Sequence, residues 1–164
     1  SGVVWSAPTT GDITEVAAGT NIDVTSGTGP VPSVALAIDA EVAFGDQLAT
    51  RPELKDYAET VNAIGATGGG TQDIDLTLGN VVTATVDSSA NTFTFSNPSA
   101  TGKSCSFTLI LTNGGSQTVN WPAAVDFAGA EAPTLTAAGV DILGFMTVDA
   151  GTRWYGFAGG LDMS

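Results

Sequence analysis

The sequence predicts a mainly β protein, with an antiparallel β-sandwich over residues 71–164, a short helix and a glycine-rich spacer within 41–70, and short strands within 1–40. Three observations carry this prediction. Residues 91–98 and 104–111 place apolar side chains at every second position, Phe93 and Phe95 and then Cys105, Phe107, Leu109 and Leu111, which is the period of half-buried strands. The C-terminal region is dense in Thr, Val and Phe and is cut at short intervals by Gly, Asn, Asp and Ser. Residues 51–64 change to helical spacing with punctuation at both ends.

The first region carries short alternating fragments at 11–16, 18–24 and 33–38, separated by Gly, Thr, Ser and Pro. Ile22 and Val24, then Val34, Leu36 and Ile38, offer too little apolar surface for a core of their own. Such strands need neighbours, and identical copies of the chain supply them by pairing strand edges and covering apolar faces.

The second region predicts a helix over 51–64. Thr50 and Glu53 have capping-box spacing, Pro52 sits in the first turn, and Gly65 stands where a left-handed cap belongs. Leu54, Tyr57, Val61 and Ile64 fall at a and d positions. Two readings stay open for that stripe: packing on its own domain, or a three-helix collar on a symmetry axis. Residues 41–48 form a candidate preceding helix, weakened by Gly45, and Gly68, Gly69 and Gly70 read as a linker.

The third region predicts strands near 75–78, 81–86, 92–96, 104–112, 117–121, 141–148 and 152–158. Ile142 and Met146 alternate with Leu143 and Phe145, so this strand is expected to be covered on both sides, being either central or covered by a second subunit. Asp149 and Gly151 suit a tight hairpin turn.

Composition removes several functions. Seventeen acidic residues face four basic ones, Arg51, Lys55, Lys103 and Arg153, for a formal charge of -13, so a nucleic-acid backbone is repelled. Membrane insertion is not expected, because no apolar run reaches spanning length. The lone Cys105 permits no internal disulfide and reads as a small core residue. Without histidine, no Ser-His-Asp or Cys-His site can form, and a carboxylate pair chosen from seventeen acids carries little information. Asp73 and Asp75 project to one side of a strand, yet acids at that spacing are more often a solvated face than a calcium site, so no metal and no cofactor are assigned. Trp121, Trp154, Tyr155 and Phe157 have a sugar-stacking reading and a core-packing reading, with packing the weightier for Trp121, Trp154 and Tyr155.

The ordered set of 11–14 with 18–20, Arg51-Pro-Glu-Leu-Lys-Asp-Tyr57, 92–111, Thr118-Val-Asn-Trp-Pro122, Ala132-Pro-Thr-Leu-Thr136 and 141–157 resembles the distal part of bacteriophage tail-fibre proteins, over nearly the whole chain. The resemblance implies a homotrimer built from a β-shaft, a helical collar and a terminal sandwich. Ile22, Val24, Val34 and Leu36 of the shaft, with Leu54, Tyr57, Val61 and Ile64 of the collar, would form its interface. It further implies an extracellular virion location without enzymatic activity. The implied partners are other tail or baseplate proteins and a host surface glycan or outer-membrane protein.

The family transfers no receptor residues, so turn-rich loops at 113–116, 127–133 and 149–153 are the candidates, expected to gather at one end. The residues named for receptor contact are Asn113, Ser116, Asp126, Glu131, Asp149, Arg153, Trp154 and Tyr155. A capsid-attached head fibre or decoration protein is the alternative, and a glycan depolymerase stands behind it. Ser1 in place of Met is expected to mark a processed or fragment start.

Overall fold

The computed structural model describes residues 48–163 and, by backbone pairing, the strands β1 (Ile22–Thr25) and β2 (Ser33–Leu36). The other elements predicted within 1–40, and nearly all of the short helix predicted over 41–48, lie outside the described residues. The chain divides into two units, Ser1–Leu54 and Lys55–Ser164. In the first, β1 and β2 pair antiparallel with Ile22 opposite Leu36 and Val24 opposite Val34, so the apolar positions of the sequence share alternate places in the ladder. A two-stranded hairpin of this size is marginal alone.

The second unit begins its regular structure with β3 (Val61–Ala66) and β4 (Gly70–Asp75), continues with β5 (Val81–Thr85) and β6 (Asn91–Ser96), and then with β7 (Cys105–Thr112) and β8 (Val119–Asn120). β5 lies parallel to both β3 and β7, and β6 lies parallel to both β4 and β8. From β3 to β8 the chain therefore winds alternately through two sheets, odd strands adding to one and even strands to the other. This is the quasi-repetitive logic of a solenoid. β9 (Val125–Phe127), β10 (Val140–Thr147) and β11 (Trp154–Gly160) complete the larger sheet, giving a six-stranded order β3-β5-β7-β10-β11-β9 against a three-stranded β4-β6-β8.

The sheets meet through the alternation visible in the sequence. Phe93 of the smaller sheet and Phe107, Leu109, Leu111, Leu143 and Phe145 of the larger are all buried. Phe95 makes edge contacts with Phe107, Phe145 and Trp154, joining both layers in one aromatic cluster. Cys105 is half-buried against this core, and its Sγ accepts from the Ser99 amide at 3.3 Å. Buried Asp141 is fully engaged: it accepts the amide and hydroxyl of Thr136, both at 2.7 Å, and the amide of Asp162 at 3.2 Å. Such bonds offset the cost of removing a carboxylate from water.

Four expectations are corrected. The antiparallel sandwich is a mixed one: only β7-β10 and β10-β11 are antiparallel in this unit, because from β3 to β8 each crossover between neighbours in one sheet is itself a strand of the other. The helix over 51–64 does not form. Residues 51–60 are irregular, Arg51 and Asp56 have φ values of 54° and 56°, and 61–66 is β3, where half-buried Ile64 packs on the core. Local capping signals are overridden because pairing with β5 satisfies the backbone and buries Ile64, whereas a helix here would bury one thin stripe. Leu54, Tyr57 and Val61 are consequently exposed and form no helical seam. The glycine linker is likewise a corner, with Gly70 already in β4, and the strand predicted at 75–78 ends at Asp75. Polar Gln72 conceals this strand's inward face; its Nε2 donates to the carbonyls of Thr67 and Gly69 across that corner, at 2.9 and 3.0 Å. Among the described residues no helix is long and apolar enough to cross a membrane.

Candidate interaction surface

The alternation that buries one side of each strand displays the other. On the six-stranded sheet, Tyr155 and Phe157 of β11 point outward, with Tyr155 opposite Met146 on β10 and opposite Asp126 on β9. Tyr155 and Phe157 are 47% and 55% exposed. The Phe157 ring stands over Gly144, where an added Cβ would lie 2.4 Å from it. Arg153 pairs with Asp126 at the rim, both side chains more than half exposed. The result is a flat apolar platform with a neutralised charged edge.

The predicted receptor residues are dispersed. Trp154 is corrected from surface to core: it is 2% exposed and meets Phe95 and Phe107, because it faces inward one position before Tyr155 faces out. Asp149 builds the β10-β11 turn. Its Oδ1 accepts the Thr147 hydroxyl at 2.8 Å and the Arg153 amide at 3.0 Å, while Ala150 and Gly151 take the positive φ values the turn needs. The Arg153 amide, followed by the Thr147 hydroxyl, holds the Asp149 carboxyl below its ordinary value.

Asn113 and Ser116 are also structural in part. The Asn113 carboxamide accepts the Gly139 amide at 3.3 Å, and the Ser116 hydroxyl donates to the Val86 carbonyl at 3.4 Å. Glu131 is exposed in the loop after β9. The loops do not gather at one end. Asn113 follows the end of β7 and bonds to Gly139 just before β10, whereas Asp149 follows the other end of β10, beside the start of β7. An eight-residue strand separates them, about 23 Å at the usual rise. Asp126, Arg153 and Tyr155 are brought together; Asn113, Ser116 and Glu131 lie apart from them.

The outward side of the three-stranded sheet is polar. Asp73 accepts the hydroxyls of Thr94 and Ser96 at 2.7 and 2.6 Å. Asp75 Oδ1 accepts Asn97 Nδ2 and the Thr77 amide, each at 2.9 Å, and the Thr77 hydroxyl at 2.7 Å. Those donors, Asn97 first, hold the Asp75 carboxyl below its ordinary value. Both acids thus have protein donors, as a solvated sheet face does. An open depression beside Thr60, Leu78 and Asn80 is shallow and mainly polar.

Trp121, read mainly as packing, stacks on Phe93 and touches Phe127 and Phe145. Sequence reasoning missed Met146 as a surface residue, whereas Phe157 is among the rings given a sugar-stacking reading. Their signal is positional: once Trp154 and Gly156 are assigned inward, Tyr155 and Phe157 must face out together. No family model, curated protein or solved structure matches this chain.

Proposed function

We propose that the chain is a structural and adhesive module of a bacteriophage fibre, acting as a homotrimer in the distal part of a tail fibre and attaching the particle to a host surface glycan or outer-membrane protein. The observation that carries the reading, through its multi-copy part, is the shape of the Tyr155–Phe157 platform. It is flat, exposed and aromatic, which suits another macromolecule, whereas small substrates are held in concave pockets. Two wound sheets add a rigid frame whose loops can vary without disturbing the ladders. Repeated weak contacts on several copies would supply avidity that one shallow site lacks.

Native mass spectrometry of the full chain tests the assembly, with a trimer expected; a clean monomer removes that part of the reading. Immobilised full chain is then exposed to outer-membrane vesicles from a panel of bacteria. Retention of vesicles from a subset supports attachment, and uniform absence of retention contradicts it.

A further inference from the structure

The six-stranded sheet has an outward face with almost no charge, in a chain of formal charge -13. Outward positions alternate along β3, β5, β7, β10 and β11 and carry such residues as Ala63, Thr83, Thr108, Ile110, Met146 and Phe157. The charged residue among the outward positions of the six strands is Asp126 on the edge strand β9, and Arg153 neutralises it. No lysine interrupts the face, although charged residues are the ordinary means of keeping an exposed sheet solitary. β10 is central in its sheet, one of the two expectations for its two-sided apolar pattern, and among the described residues the Phe157 ring stands over Gly144 on its outward side while Met146 stays exposed.

We infer that this face is the contact surface between copies of the chain, an inference that rests on the multi-copy reading above. Charge selects the occupant. Like-charged copies repel wherever their acids meet, and they can approach closely only where neither brings net charge, as in the charge-depleted core of protein interfaces. A basic partner would find its complement on the opposite sheet, around Asp73 and Asp75, and none here. Size agrees as well. Six strands and about 20 Å of strand length span roughly 24 by 20 Å in projection, and side-chain relief raises the accessible area toward the approximately 800 Å² per partner of a standard interface. Tyr155 then belongs to a subunit contact, and the end bearing Asn113 and Ser116 remains available to a host receptor.

The test reads the face itself, because other parts of the chain can also hold copies together. Met146 lies at the platform and is 37% exposed. Peptide mapping after mild peroxide treatment of the full chain, dilute and concentrated, measures its oxidation. Several-fold slower oxidation in concentrated protein is expected, with the protection lost in Tyr155→Asp and in Thr108→Glu, and kept in Thr71→Glu on the opposite sheet. Near-UV circular dichroism of the buried Trp154 identifies variants that retain the fold. Met146 oxidation in the concentrated chain as fast as in Tyr155→Asp and Thr108→Glu overturns the inference even if a trimer is found by mass; protected Met146 without vesicle retention leaves it standing and contradicts attachment alone.

Discussion

On the three-stranded sheet the outward residues are Thr71, Asp73 and Asp75 beside Thr92, Thr94 and Ser96, whereas on the six-stranded sheet Met146, Tyr155 and Phe157 stand outward around Gly144. Both faces belong to the same two-layer core and obey the same alternation. They differ in how their needs are met. Hydroxyls of one strand satisfy carboxylates of the next on the polar face, so water completes it. The apolar face has nothing for water to complete, and burying it is favourable at roughly 25 cal/mol per Å². Alternation therefore decides which residues face out, and side-chain chemistry decides whether that side wants a partner.

The largest expected effect breaks both faces together. Trp154→Ala removes an indole from the shared core and should cost about 3–5 kcal/mol in urea unfolding of the dissociated subunit, while Tyr155→Ala, its outward neighbour, should change that value by less than about 0.5 kcal/mol and act on association instead. Equal effects would show that the inward and outward assignments are wrong. Next, Asp141→Asn places an amide donor against the Thr136 amide and hydroxyl, and a loss of about 2–3 kcal/mol is expected in the same assay. Gly144→Ala sharpens the account of the apolar face: the new methyl must displace the Phe157 ring, costing about 1–3 kcal/mol. Much of that loss should return in Gly144→Ala with Phe157→Ala, measured as a double-mutant cycle.

Smaller is Arg153→Ala, where the exposed pair with Asp126 contributes less than about 1 kcal/mol, a loss that added salt should shrink. The polar face should respond to acid through Asp75, as the β10-β11 turn should through Asp149. The Asp75 carboxyl is held below the ordinary value of 3.8, so the stability it contributes is present above that value and is lost as pH falls through its lower folded-state value. Asp75→Asn should flatten the acid limb of the stability profile, measured by thermal melts between about pH 5 and 2.

The part of the fold legible in the sequence is the part whose pattern is read locally. Phe93, Phe95, Phe107, Leu109 and Leu111 face the core at alternate positions, and the 148–152 turn joins two antiparallel strands. The 51–64 segment was misread because Thr50, Glu53 and Pro52 report only what an isolated stretch prefers, while β3 exists through its pairing with β5. β9 is three residues long and has no period to detect. The candidate surface was half legible: Asp126, Arg153 and Tyr155 were named from loops and aromatics, and Trp154 was named with them although it faces the core.

By itself the sequence determined the β class, the acidic charge, the absence of histidine chemistry and the inward residues of the long strands, since each depends on composition or on a two-residue period. Tertiary structure alone decided that neighbours run parallel, that 61–66 is a strand, and that Met146, Tyr155 and Phe157 share one platform. The reason is physical: backbone pairing joins residues far apart in the chain, and alternation reads the same whichever way the neighbouring strand runs.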